Sequence, residues 1–276
     1  MNEAHDNSLA TLNWLIEAGA DEAIADEPIN RLVAKPNPPL EGGSKFAQQI
    51  STLPQGEGRS TVFIPGDAIG DAQSAAASAT TLAELKAALE AFDGCGLKRT
   101  ATNTVFSDGV AGGGIMLIGE APGRDEDRIG KPFVGRAGQL LDKMLASIGL
   151  DRASNAYITN VINWRPPDNR DPTPEEAASC LPFLRRHIEL ADPQLIILLG
   201  AVAARHVVGV SDGIMKLRGR WLEYRVGSSM VPLMPTLHPA YLLRQPAHKK
   251  LAWRDLQAVR DKMQSLGLPR NTARSN

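Results

Sequence analysis

The sequence predicts an α/β fold: a three-layer sandwich whose central, mostly parallel sheet is flanked by helices, preceded by an N-terminal extension. Three observations carry this. Residues 114–118 (GIMLI), 156–162 (AYITNVI) and 195–199 (LIILL) are short apolar runs bounded by Gly or polar turns, the pattern of strands buried on both faces. Helical periodicity fills the stretches between them, at 137–148 and 174–190, and strand alternating with helix in this rhythm implies parallel pairing. From Asn30 to about Ser78 the chain is rich in Pro, Gly, Ser, Gln and Ala without sustained periodicity, which reads as a linker.

The elements follow in order. Residues 8–18 have Leu9, Leu12, Leu15 and Ile16 on one helical face and Gly19 as a stop, but one short amphipathic helix does not fold alone. A second helix starts near Thr81, which forms a capping box with Glu84, carries Leu82, Leu85, Leu89 and Phe92 on one face, and ends at Asp93 and Gly94. After the third apolar run come a helix at 201–208, strands at 220–226 and 230–236, and a C-terminal helix at about 248–265. The division is therefore an acidic extension, residues 1–78, and one α/β domain, residues 79–276. Ligands of such sheets bind beyond the carboxyl ends of the strands, so the loops after 118, 162, 199 and 236 should carry the chemistry.

Composition narrows the class. The chain has 276 residues, 43% of them apolar, and two cysteines, too few for a disulfide framework or a four-thiolate metal site. It lacks a run of 18 apolar residues, and its first six are polar and acidic, so the expectation is a cytoplasmic protein without membrane span or signal peptide. The balance of 30 basic against 31 acidic residues conceals a polarity: residues 1–94 hold 5 and 14, residues 95–200 hold 12 and 13, and residues 201–276 hold 13 and 4. A basic C-terminal third suits a polyanion; equally, the two ends can neutralise each other.

The first loop, Gly119 to Asp127, lacks the GxGxxG spacing, and the chain has no GxxxxGKS or GxxxxGKT, so dinucleotide and P-loop readings have no support. Glu120, Asp125, Glu126 and Asp127 crowd it beside Arg124, Arg128 and Lys131, a layout that suits a placed water and phosphates, or simply a solvated, charge-balanced loop. In the second loop, Asn160 near a strand end offers an amide donor and acceptor to a planar ligand such as a base, although Asn is also a common turn former. The fourth holds His238-Pro239-Ala240-Tyr241-Leu242-Leu243-Arg244, a donor followed by apolar residues and a cation, suited to a base stack.

The spaced set GEAPG, EDRxGKPFVGRAGQLLDKML, YITNVxxxRPPxNRDP and HPAYLLR resembles the uracil-DNA glycosylase superfamily, and most closely its family 4, over about Phe92 to Leu266. The resemblance implies a three-layer glycosylase fold and an enzyme that flips uracil from DNA, hydrolyses its N-glycosidic bond and leaves an abasic site. Carried over by position, it implies that Phe133 stacks on the uracil, Asn160 reads N3–H and O4, and His238 donates to O2. Glu120 and Glu126 match the motif's two acidic positions and are, with His238, the expected catalytic residues, either carboxylate being able to assist the water; Ala121 stands where family 1 enzymes have a water-activating Asp, and its backbone N–H remains available to the uracil. Lys131, Arg136, Arg165, Arg170 and Arg244 flank these motifs as phosphate contacts, and Leu242, Leu243 or Arg244 is the candidate to fill the gap left by the flipped base. Residues 165–174 contain no histidine, so the covalent DNA trapping of some superfamily members is not expected.

Family 4 enzymes hold a four-iron, four-sulfur cluster on four cysteines. Here Cys95 and Cys180 match the second and fourth, while Phe92 and Trp164 stand at the first and third, so no cluster and no other metal or cofactor is expected. Two bulky rings would fill the volume, with the remaining cysteines as buried neutral thiols. The expected partner is DNA containing uracil, met by a monomer without a membrane. Two other functions fit the same residues: a glycosylase of broader range that accepts hypoxanthine or xanthine, and a non-catalytic DNA-binding relative.

Overall fold

The computed structural model describes residues 65–270. The sequence-predicted helix at 8–18 and most of the N-terminal extension lie outside the described residues. The helices are α1 (Pro65–Ser78), α2 (Leu82–Ala91), α3 (Arg124–Ile129), α4 (Arg136–Ala146), α5 (Pro174–Ala191), α6 (Ala201–Val208), α7 (Ile214–Leu217), α8 (Pro239–Arg244) and α9 (Lys249–Ser265). The strands are β1 (Asp108–Gly109), β2 (Ile115–Gly119), β3 (Ala156–Asn160), β4 (Leu195–Leu199), β5 (Leu222–Val226) and β6 (Ser229–Thr236).

They form one six-stranded sheet in the order β1-β3-β2-β4-β6-β5. The four central strands are parallel, and the two edge strands β1 and β5 are antiparallel. All residues of β2, β3 and β4 are buried, because helices cover both faces. The two-residue period splits each strand between two cores: Met116, Ile118, Ile196 and Leu198 pack with residues of α1, α2 and α5, whereas Ile115, Leu117, Ile197 and Leu199 pack with α4 and α9. The chain passes from β2 to β3 on one side, then crosses to β4 on the other. This opens a crevice at the carboxyl ends of β2 and β4, where the sequence reading places the chemistry.

The three-layer architecture agrees with expectation, and the differences are local. The reading of residues up to Ser78 as linker is corrected by α1, which packs on α5 with Ala72 and Ala76 fully buried. Ala68, Ala72 and Ala76 recur every four residues, but alanine contributes little hydrophobic contrast, so the periodicity is hidden although the helix propensity is high. The capping box at Thr81 is half realised: its hydroxyl accepts from Glu84 N–H at 3.1 Å, while the Glu84 carboxylate accepts from the Thr80 N–H and hydroxyl, each at 2.7 Å. That helix stops at Ala91, with Phe92 rather than Gly94 as its cap. The strand expected over 156–162 ends at Asn160; Val161 and Ile162 instead donate to the carbonyls of Gly119 and Glu120, tying the two site loops together at 2.9 Å each.

Candidate active site

A cleft of about 520 Å³ opens at that crevice, lined by Glu120, Ala121, Glu126, Phe133, Asn160, His238 and Arg244 among others. Four loops that are distant in sequence converge here because their strands are parallel neighbours. Asn160, the last residue of β3, is 2% exposed, and its Oδ1 has no hydrogen-bond partner among the described residues. A buried, unpaired amide oxygen costs roughly 1–3 kcal/mol, so this acceptor is open to a ligand N–H.

Phe133 is 6% exposed and has φ +54°, a left-handed conformation that β-carbon residues avoid. Its turn is held from several sides. The Arg152 guanidinium donates to the carbonyls of Pro132 (3.1 Å) and Phe133 (2.9 Å), and the Glu126 carboxylate accepts from the N–H groups of Val134 and Gly135 (both 2.9 Å). Gly138 in α4 lets the helix abut the turn, since a Cβ there would lie 1.7 Å from the Phe133 carbonyl oxygen. The ring then lies over Gly119, where a Cβ would come within 2.5 Å of the ring and 2.4 Å of Asn160 Oδ1. The Phe133 ring and the Asn160 amide therefore both crowd Gly119 at the cleft.

His238 caps α8. Its Nδ1 accepts from the Ala240 N–H at 3.1 Å, so Nε2 carries the proton of the neutral ring. Burial, with a smaller contribution from Arg244, lowers its pKa to about 4, so it is a neutral donor near pH 7. Its ring centroid is 5.5 Å from that of Phe133. Below it, Thr236 donates to Asp255, which also pairs with Arg218, fixing the strand end from which His238 projects.

The two acids differ in environment. Glu120 lines the cleft without a hydrogen bond from any described residue, and burial, reinforced by Asp171, raises its pKa against the pull of Arg205 and Arg244. Glu126 also accepts from the Gly123 N–H at 3.1 Å, so both of its oxygens bind backbone. Ala121 lines the cleft between them.

Of the predicted phosphate contacts, Arg170 and Arg244 line the cleft and the others do not. Arg170 is paired with Glu176 through two bonds of 2.8 and 2.6 Å, Lys131 with Asp108 at 3.0 Å, and Arg165 donates to Asn169 at 2.8 Å. Arg136 and Leu243 are exposed. Residue reasoning missed Asp171, Arg205, Tyr241 and Arg152. Asp171 sits inside the quoted NRDP run and Tyr241 inside HPAYLLR, so position within a motif was the available signal; Arg152 carries none, because its partners are 10 to 44 residues away.

The donor set does not fit a four-thiolate cluster. Cys95 and Cys180 are buried free thiols, and the influence of Cys180 lowers the pKa of Cys95. Phe92 packs on Phe183 at 5.1 Å, and the Trp164 indole donates to Thr104 at 3.0 Å, so both rings belong to the apolar core. Among the described residues no group of three or more His, Cys, Asp or Glu is arranged for a metal.

The α/β crevice gathers an aromatic ring, an amide with an unpaired oxygen and a neutral imidazole, groups suited to a planar, hydrogen-bonding ligand. Residues 106–257 match the family model described as the uracil DNA glycosylase superfamily, and the chain belongs to it. It is 45% identical over 156 residues to the type-4 uracil-DNA glycosylase of Archaeoglobus fulgidus, covering 55% of this chain and 78% of that protein. It is 43% identical to the type-4 enzyme of Thermotoga maritima, covering 56% and 79%. The type-5 uracil-DNA glycosylase of Pyrobaculum aerophilum is 33% identical over 110 residues, 35% of this chain and 48% of that protein. No described helix is long and apolar enough to cross a membrane.

Proposed function

We propose that this chain is a monofunctional uracil-DNA glycosylase of base excision repair, binding DNA as a monomer in the cytoplasm without a metal or iron-sulfur cofactor. The observation that carries the reading is the buried, unpartnered Oδ1 of Asn160 facing a cleft between Phe133 and His238. A flipped uracil stacks on Phe133, gives its N3–H to Asn160 Oδ1 and accepts at O4 from Nδ2. The Ala121 N–H adds a backbone donor to the base.

The bond between the sugar C1′ and N1 breaks with its electron pair leaving on the base, and the charge spreads to O2. The neutral His238 donates Nε2–H there, stabilising the anion without a proton having to be placed first. The sugar acquires oxocarbenium character, and Glu120 lies near enough to the cleft to stabilise it and take the proton of the water that adds to C1′. Its raised pKa suits a base. Glu126, with both oxygens on backbone N–H groups, is a positioning residue for the loop rather than the water's base. Arg136, Arg244 and Arg165 meet phosphates, Lys131 and Arg170 exchange their carboxylate partners for phosphates, and Leu243 fills the gap left in the stack.

The test is excision from single- and double-stranded oligonucleotides containing one uracil, read as alkali-labile sites, with hypoxanthine and xanthine substrates in parallel to measure range. Wild-type protein should cut at uracil, and Asn160→Ala should lower kcat/KM by about 10²–10³. Intact uracil substrates after incubation with folded wild-type protein would overturn the proposal.

A further inference from the structure

Arg152 lies between α4 and β3 in the chain and lines no part of the cleft, yet all three of its guanidinium nitrogens donate hydrogen bonds. Nε donates to Asp142 at 2.8 Å, Nη1 to Asp108 at 3.0 Å and to the Pro132 carbonyl at 3.1 Å, and Nη2 to the Phe133 carbonyl at 2.9 Å while pairing with Asp142 at 2.6 Å. The side chain is 18% exposed, as is that of Asp108, so the charge is partly desolvated and neutralised by two carboxylates rather than by water. Two consecutive carbonyls bound by one planar fork is a geometric constraint that a lysine ammonium does not reproduce.

The segment so held is the turn in which Phe133 adopts φ +54°. A non-glycine residue there costs roughly 1–3 kcal/mol and persists only where surrounding contacts enforce it. We propose that Arg152 is the positioning residue of the base pocket: it fixes the left-handed turn that lays the Phe133 ring over Gly119, and so sets the affinity for the free base and the rate of excision. This rests on the reading of the cleft as a uracil pocket. The role is divided by charge, since Glu126 takes the amides of the same turn and Arg152 its carbonyls.

Arg186 supplies the control. It ties the Ala79 carbonyl by two bonds, of 3.0 and 2.8 Å, and pairs with Glu189 at 2.9 Å, the same chemistry away from the cleft. Wild type, Arg152→Gln, Arg152→Lys and Arg186→Gln are compared for excision kinetics, for inhibition by free uracil and for thermal unfolding. The expectation is a kcat/KM lower by about 10–100-fold and a uracil inhibition constant higher by about tenfold for Arg152→Gln, with a smaller change in the same direction for Arg152→Lys. Arg186→Gln should lower the melting temperature and leave both functional readings unchanged. If Arg152→Gln does not fold, the lysine variant decides through its inhibition constant. Wild-type inhibition by uracil and kcat in whichever Arg152 variants fold, or losses matching those of Arg186→Gln, would overturn the proposal. Failure of wild-type protein to excise uracil would instead sink the reading of the cleft, and the proposal with it.

Discussion

The least comfortable atom in the cleft is Asn160 Oδ1, and its discomfort separates stability from activity. Replacing Asn160 by Ala removes an unsatisfied buried acceptor, so the melting temperature should stay level or rise while excision falls. A melting temperature several degrees lower would show that the amide is structural. The two glycines packed against Phe133 behave differently. A Cβ at Gly119 meets the ends of the Phe133 and Asn160 side chains, which can move, so Gly119→Ala should fold with a small stability loss and at least tenfold less activity. A Cβ at Gly138 meets the Phe133 backbone, so Gly138→Ala should cost about 2 kcal/mol or more despite the better helix propensity of alanine, measured by urea unfolding. At this scale the sequence is informative where residues sit inside motifs: Phe133, Asn160 and His238 do converge. It is silent on Glu126 as a clamp and on Arg152, because those roles are made by long-range backbone contacts that leave no local pattern.

Among the elements, the buried strands are legible because a parallel sheet covered on both faces demands continuous apolar runs, and β2, β3 and β4 each supply one. The short edge strand β1 is not legible, since Asp108 and Gly109 have no strand character and are recruited by pairing with Tyr157 and Ile158. Nor is α1, whose buried face is alanine. That helix has a consequence for any shortened protein. A chain beginning at Ala79 loses the cover over α5 together with the buried Ala68, Ala72 and Ala76, and should melt roughly 5–10 °C lower than one beginning before Pro65. Equal melting curves by circular dichroism would mean that α1 contributes nothing to the fold. Because α1 packs on the face opposite α4 and α9, activity at 25 °C should survive its removal.

For the whole molecule, an acid limit follows from two imidazoles, His187 buried and His238 half-buried. His187 is 2% exposed, stacked on Phe106 at 4.2 Å and hydrogen-bonded to the Tyr157 hydroxyl at 2.8 Å, and burial lowers its pKa to about 3. His238 falls to about 4 for the same reason, with Arg244 adding to it. Both values lie below the ordinary 6.5 of an unfolded chain, so between pH 6.5 and 4 the unfolded state binds more protons than the native one. Stability is therefore fully present above pH 6.5 and is lost as the pH falls, by up to about 1.4 kcal/mol per pH unit for each histidine. His187→Gln should flatten that slope by about one proton, measured by urea unfolding at a series of pH values, and an unchanged slope would exclude it as the source. Catalysis should have its own acid dependence. With Glu120 as the proposed base for the water, the acid limb of kcat/KM should follow its carboxyl, which burial and Asp171 hold above its ordinary value. Replacing Asp171 by Asn removes one of the two influences that raise it, so the limb should move to lower pH while the alkaline side stays in place. A limb that moved upward, or did not move, would assign the essential base elsewhere.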